Sequence, residues 1–383
     1  MKNLKVCMII EAWFPLIGGG QIHTLELSNR LTKEHGCDVD IITRAIKGEN
    51  CNKSTFGEKL NDNIKLHRVY PTLAYGNLFG RLWFILSSFF FLLRNNYDII
   101  HVHGVLPIIP VKLANMFKRK RIVLTIHGTR LGVERRDIRG KLRNMIERKL
   151  TCGLIFDGII TTSRDFLVNK NVNKNIHVIP NGVDINKFDS VSVGKNKKFK
   201  IIYVGRFDKI KGVDFLIKGF KDALKIYSDM ELHLVGYGFD ENALKKLVEK
   251  LNLQNNVFFR GKITGIELIK EYKSSHLFIL PSLSEGQPLT LLEAWAAKLP
   301  VIVTSVGANI DIVNEENGFM IPPKSSESIA NAIINAREKE NLQMIGINGY
   351  ELVKKEFTWD NTTKKVYRVY KNITITKATK NDE

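Results

Sequence analysis

The residues best suited to chemistry begin with two glutamates, Glu285 and Glu293, in the run Pro281-Ser282-Leu283-Ser284-Glu285-Gly286-Gln287-Pro288-Leu289-Thr290-Leu291-Leu292-Glu293-Ala294. Glu285 follows an apolar strand-like run and belongs in a loop, whereas Glu293 falls one turn into the helix that comes next. The two carboxylates therefore reach different parts of one ligand and need not pair. Pro288 suits a helix start, which leaves the N–H groups of Leu289 and Thr290 facing outward as phosphate donors. Glu293 lies too late to serve only the helix dipole, and on an apolar run its carboxylate needs a partner. Earlier in the chain, Val204-Gly205-Arg206-Phe207-Asp208-Lys209-Ile210-Lys211-Gly212 carries a strand into a cationic loop. Arg206 offers a planar fork and Lys211 a mobile point charge, a pair able to converge on a diphosphate. A third loop, Phe14-Pro15-Leu16-Ile17-Gly18-Gly19-Gly20, follows the first strand, with a helix expected from about Gln21. Its glycines let backbone approach a ligand, and the helix N-terminus attracts anions. The spacing is not that of a dinucleotide fingerprint.

Such loops need strands to hold them. Short apolar runs at 6–10, 39–43, 99–102, 122–126 and 158–161 read as buried strands, and 22–31, 111–117 and 142–150 as helices between them. After a polar gap at 186–200 the pattern restarts, with strands at 201–204, 232–235, 257–259, 277–280 and 301–304. Parallel sheets covered on both faces follow, giving an α/β chain of two doubly wound, Rossmann-like domains. In that fold ligands bind beyond the carboxyl ends of the strands, where all three loops fall. The expected domains are 1–185 and 186–357. A terminal helix over 358–375, with apolar or aromatic residues at Trp359, Val366, Val369 and Tyr370, is expected to cross back to the first domain.

A chain of 383 residues with 44% hydrophobic and 25% charged residues fits two globular domains. Its start, with Glu11 interrupting the apolar run after Ile10, does not read as a secretory leader, and Cys7, Cys37, Cys51 and Cys152 lack metal or redox spacing. A cytoplasmic location is expected. The net charge of +19 is uneven: residues 1–180 hold 28 basic and 14 acidic residues, and Lys112 to Lys149 alone holds 13 and 3. That stretch would attract an anionic membrane surface, acceptor or polymer, or else form a solvated face. Residues 82–93 (LWFILSSFFFLL) are too short to span a bilayer, which takes ~20 residues, and a buried core helix is expected over an interfacial one.

With these residues in view, the chain resembles the glycosyltransferase family 4 group, whose signature is two glutamates separated by seven residues in the second domain. The resemblance covers nearly the whole chain. It includes Gly18–Gly20, Thr125-Ile126-His127-Gly128-Thr129, Ile179-Pro180-Asn181-Gly182-Val183-Asp184, Gly205-Arg206 with Lys211, Val235-Gly236-Tyr237-Gly238 and Phe259-Arg260-Gly261-Lys262. It implies the GT-B architecture, two facing doubly wound domains with the active site in the cleft between them. It also implies retaining transfer from a nucleotide-diphosphate sugar, commonly UDP-linked, to a glycan or lipid-linked acceptor. Arg206 and Lys211 would take the leaving diphosphate, Glu293 the ribose hydroxyls and Glu285 the transferred sugar. His127 would reach the reacting sugar, Gly19 and Gly20 would admit acceptor and phosphate, and Gly261, Lys262 and Ile263 would lie near the base. Gly286, Leu289 and Thr290 belong to the same donor loop. Many members carry Phe-Gly where this chain has Gln287-Pro288, so the donor sugar is not carried over.

No cofactor or metal is expected, because Arg206, Lys211 and helix N–H groups can stabilise the leaving phosphate themselves. Asp38-Val39-Asp40 imitates a metal-binding triplet but falls at a strand entrance, away from a site. Whether the reaction is a double displacement or a front-face transfer stays open. An epimerase or phosphorylase of the same architecture is the alternative. No nucleic-acid partner is expected, since zinc, RNA-recognition and basic-zipper patterns are missing from the sequence.

Overall fold

The computed structural model describes residues 3–14, 16, 18–46, 58–74, 76–128, 138–168 and 170–375. Pro15 and Ile17 of the glycine loop, Cys51, Thr129 and residues 129–137 of the basic stretch lie outside them. Two compact units are present, Met1–Asn181 with Trp359–Glu383, and Gly182–Thr358. The second unit takes in residues 182–185, which the sequence reading gave to the first. The Val183 N–H donates to Phe357 O at 2.8 Å, Asp184 caps the next helix, and Phe188 enters the second core.

The first unit contains β1 (Lys5–Ile10), α1 (Gly19–His35), β2 (Asp38–Ile46), β3 (Glu58–Asn61), β4 (Ile64–Leu73), α2 (Leu78–Arg94), β5 (Ile99–His103), α3 (Ile108–Phe117), β6 (Arg121–Ile126), α4 (Ile138–Cys152), β7 (Gly158–Thr161) and β8 (Ile176–Val178). Its eight strands run in the order β3-β4-β2-β1-β5-β6-β7-β8, parallel except for the β3–β4 edge pair. Alternation along β1 covers both faces: Val6, Met8 and Ile10 enter one core with α1 and the C-terminal helix Trp359–Ile375, while Cys7 and Ile9 enter the other with α2 and α3. The C-terminal helix buries Trp359, Thr362, Val366, Val369 and Tyr370, stacks Tyr367 on His35 at 3.9 Å, and bonds Thr362 to Pro180 O.

The second unit adds α5 (Ile185–Asp189), β9 (Phe199–Val204), α6 (Val213–Leu224), β10 (Met230–Val235), α7 (Glu241–Lys250), β11 (Val257–Gly261), α8 (Gly265–Lys273), β12 (Leu277–Leu280), α9 (Leu289–Ala296), β13 (Val301–Thr304), α10 (Asn309–Ile312), β14 (Phe319–Ile321), α11 (Ser326–Glu338) and α12 (Leu342–Glu356). Its sheet order is β11-β10-β9-β12-β13-β14, all parallel. Strand order reverses between β1 and β5 in one unit and between β9 and β12 in the other. Those reversals open crevices beside the carboxyl ends of the strands.

The 82–93 stretch corrects the sequence reading. It lies in α2, which buries only the stripe Gly80, Phe84, Ser88 and Leu92, while Leu82, Trp83, Leu86 and Phe90 are 44–53% exposed. An i, i+4 stripe packs one side of a helix, here flanked by half-buried Phe89, Phe91 and Leu93, and the residues opposite it stay outside whatever their polarity. Helix α1 also starts two residues before Gln21, at Gly19.

Candidate active site

In the second unit the loops after β9 and β12 are joined. Gly212 has φ +63°, and a Cβ there would lie 2.2 Å from Pro281 O. Leu283 N–H donates to Ile210 O at 2.7 Å, and the Tyr203 hydroxyl holds the start of the loop through Arg206 O at 2.8 Å. This brings the Lys211 ammonium to 2.5 Å from Glu285 Oε1, which also accepts from the Ser282 hydroxyl at 2.6 Å. The Glu285 side chain is only 8% exposed, so its charge depends on those two donors. Arg206 pairs instead with Asp208 at 3.1 Å and is half exposed. The two cations expected to converge on one anion thus each hold a carboxylate.

Glu293 lies on α9 and accepts from the Tyr272 hydroxyl at 2.9 Å. Burial pushes its carboxyl pKa up, and the Tyr272 hydrogen bond only partly opposes that. Tyr272 is the partner that an isolated carboxylate on an apolar helix required. Pro288 is extended, at φ −73° and ψ 125°, and Leu289 and Thr290 open α9, where the first N–H groups of a helix have no partner within it. Gly286 O accepts from Ala308 N–H at 2.8 Å. Gly307, at φ +54°, would put a Cβ 2.2 Å from Glu285 O, so the loop after β13 closes against the Glu285 turn. Gly261 ends β11 at φ +67° with open space where a Cβ would be, and Gly236 N–H donates to its carbonyl at 2.8 Å. Lys262 lies 5.7 Å over the Tyr237 ring, and Ile263 packs on the core.

In the first unit Gly18 precedes α1, and Gly19 and Gly20 form its first residues. A Cβ on Gly20 would meet His127 Cδ2 at 3.4 Å, which places the glycine loop against the residue after β6. His127 belongs to a group of four imidazoles with His23, His101 and His103. Ring centroids are 4.7 Å apart for His23 and His127, 4.2 Å for His101 and His103, and 5.3 Å for His103 and His127. Burial lowers His23 to about 4 against the raising effect of its Asn181 hydrogen bond. It drives His101, His103 and His127 well below the ordinary value, with repulsion among the rings adding to it.

Sequence reasoning singled out His127 and missed its three neighbours, together with Asp208, Tyr272, Ser282 and Gly307. The alternation His101-Val102-His103 at a strand end was the available signal for two of them, and a glycine just beyond β13 for another. Asp38 and Asp40 do begin β2, at the amino end of the sheet, where Asp40 accepts from Tyr97 at 2.6 Å and lies 3.1 Å from His67 Nε2.

Residues 17–187 match the family described as Glycosyltransferase Family 4, and residues 184–351 match Glycosyl transferases group 1. The chain is 28% identical to an uncharacterized glycosyltransferase of Methanocaldococcus jannaschii, over 97% of this chain and 100% of that protein. It is also 28% identical to the UDP-Gal:alpha-D-GlcNAc-diphosphoundecaprenol alpha-1,3-galactosyltransferase of Escherichia coli, over 89% and 92%. Sucrose-phosphate synthase from Thermosynechococcus elongatus shares the fold with a TM-score of 0.84 at 22% identity, covering 98% of this chain and all of that one. With two doubly wound units of GT-B type and family matches that together run from residue 17 to 351, the chain belongs to glycosyltransferase family 4 and is a glycosyltransferase.

Proposed function

We propose that this enzyme transfers a hexose from a UDP-sugar to a glycan or lipid-linked acceptor, with retention and without a metal ion. The observation that carries this reading is the Lys211–Glu285 pair at the β9–β12 crevice, beside the open start of α9. Departure of a nucleoside diphosphate builds negative charge on phosphate oxygens while the sugar becomes oxocarbenium-like. Lys211, Arg206 and the N–H groups of Leu289 and Thr290 meet that charge, in the role a divalent ion plays elsewhere. Glu285, already tied to Lys211, orients sugar hydroxyls, and Gly286 gives them room. Glu293, oriented by the buried Tyr272 hydroxyl, holds the ribose, and the base lies along Gly261, Lys262 and Ile263. His127 touches the transferred sugar, and Gly19 and Gly20 keep the start of α1 open to acceptor and phosphate. The departing phosphate takes the acceptor proton in a front-face transfer. Support for a UDP-sugar and a lipid-diphosphate acceptor comes from the Escherichia coli relative, a UDP-Gal:alpha-D-GlcNAc-diphosphoundecaprenol galactosyltransferase.

The acceptor side is proposed to meet an anionic bilayer from the cytoplasmic face. Leu78, Phe79, Leu82, Trp83, Leu86 and Phe90 of α2 are exposed beside Met116 and Phe117 of α3, and neither helix carries an acidic residue. Cations from Lys112 to Lys149 follow in the chain, each worth ~1 kcal/mol near such a surface. Among the described residues no helix is long and apolar enough to cross a membrane. The test of function is a screen of UDP-, GDP-, ADP- and dTDP-sugars for thermal stabilisation and slow hydrolysis, in which UDP-sugars alone should score on both. A preference for another base, or stabilisation by none, would overturn the donor assignment.

A further inference from the structure

The four-imidazole group contains two nitrogens, His23 Nε2 and His103 Nε2, that are buried and without a hydrogen-bond partner among the described residues. His103 ends β5 and His127 follows β6, so both stand on the carboxyl side of the sheet, next to the β1–β5 reversal. Their contact joins His103 Nδ1 to His127 Nε2 at 3.1 Å, with the ring planes only 15° apart. Burial keeps both rings neutral, so one hydrogen is shared across the contact.

Two arrangements are possible. If His127 Nε2–H donates, His103 must carry its own hydrogen on Nε2, where an N–H would be buried with nothing to receive it. If His103 Nδ1–H donates, the buried Nε2 keeps only a lone pair. Orphaned buried N–H groups are the rarer defect, and an unused acceptor is the more tolerable one. His23 makes the same choice, turning Nδ1 to Asn181 Oδ1 at 2.9 Å and leaving Nε2 unpartnered. His101 cannot rescue His103, because its nitrogens are engaged by Tyr370 OH at 2.5 Å and Thr125 Oγ1 at 2.6 Å. Nor does a metal ion account for the group, since among the described residues no three His, Cys, Asp or Glu side chains are placed to hold one.

We propose that His103 is a positioning residue that fixes His127 in the tautomer with its hydrogen on Nδ1, so that His127 meets its ligand as a hydrogen-bond donor and not as a base. Nδ1 is the His127 nitrogen that is not spent on His103, and the ring edge turned to Gly20 is Cδ2. The group it recognises is therefore an accepting oxygen, such as a sugar hydroxyl or a phosphoryl oxygen. That a ligand uses His127 rests on the function proposed above, whereas the tautomer does not.

The test uses the full chain with 15N-labelled imidazoles and long-range 1H–15N correlation without substrate, His127 being assigned from the spectrum of His127→Gln. His127 should show a protonated Nδ1 and a bare Nε2. His103→Asn places an amide nitrogen where Nδ1 stood and should keep that pattern. His103→Leu fills similar volume without a donor and should shift His127 towards the Nε2–H form. With a UDP-sugar donor, His103→Leu should lower kcat at least 10-fold with KM within 3-fold, and His103→Asn should stay within 3-fold in kcat. An Nε2–H tautomer of His127 in the unaltered protein overturns the proposal, and so does a His127 tautomer unmoved by His103→Leu. Should the leucine variant fail to fold, the unaltered protein and the asparagine variant still decide the tautomer. A correct tautomer with no turnover of any UDP-sugar would count against the proposed function alone.

Discussion

Replacing Glu293 with Gln should move affinity and stability in opposite directions. The carboxylate is half-buried, is held by one hydrogen bond from Tyr272 at 2.9 Å, and has its pKa raised from 4.5 by burial. A charged hydrogen bond to ribose is worth about 1–3 kcal/mol, so Glu293→Gln should raise the Kd for free UDP by about 5- to 150-fold. The sign of the stability effect follows from the raised pKa. Folding with the carboxylate protonated carries no penalty below the unfolded value. The penalty grows as pH rises from the unfolded value towards the higher folded one and is complete above the latter. Gln removes it and should raise Tm at neutral pH, each kcal/mol gained being worth about 2–4 °C in a unit of this size, with the gain vanishing near pH 4. Glu285→Gln, in contrast, should change UDP affinity less than 3-fold while depressing turnover. Titration calorimetry with UDP and scanning calorimetry across pH give both quantities. Equal affinity losses in the two variants would refute the division of labour, and a Tm for Glu293→Gln that falls along with its affinity would refute the burial argument.

The imidazole group should make the first unit acid-labile. His23 has a folded pKa of about 4 against 6.5 unfolded, so stability is lost as pH falls from about 6.5 towards 4, at up to ~1.4 kcal/mol per pH unit for each such ring. In the second unit His276, lowered to about 4 chiefly by burial, loses stability over the same range as a single ring, while Glu271, lowered to about 2 chiefly by the His233 ring 3.7 Å away, keeps its contribution until pH falls below 4.5. Hydrogen exchange at pH 5 should find the first unit opening before the second, and the reverse order would contradict this. Gly307→Ala places a Cβ against Glu285 O at a left-handed φ, where a side chain costs about 1–2 kcal/mol, and should lower kcat at least 10-fold, as steady-state assays can check. Vesicles with anionic lipid should sediment the protein at low salt and release it at high salt. Sedimentation under neither condition would leave the α2 face without a membrane role.

Much of the second unit's site was legible because local chemistry and strand position point the same way. Glu285 and Lys211 sit directly beyond strand-like apolar runs, and Pro288 marks the helix that presents Leu289 and Thr290. What could not be read was pairing across sequence. Lys211 meets Glu285 rather than Arg206 because Gly212 lets its loop lie on Pro281, a contact between residues 69 positions apart that no local pattern encodes. Tyr272 and Gly307 reach the site in the same way. The edge strands β3, β8 and β14 and the internal strand β4 were missed because the first three are only three or four residues long and the hydrophobic pattern of β4 is interrupted by polar residues. Helix α2 misled for another reason. Twelve nearly continuous apolar residues contain no polar stripe to show which side faces outward, so composition suggested burial where packing uses one stripe.

Release of sugar from an anomerically labelled UDP-hexose by the purified enzyme in EDTA, followed by 1H NMR of the anomeric proton before mutarotation, tests transfer chemistry most directly. Retention without a metal requires the first-formed sugar to keep the α configuration of the donor and the rate to be the same with or without EDTA. First-formed β sugar, or activity lost to EDTA and restored by magnesium or manganese, would contradict it.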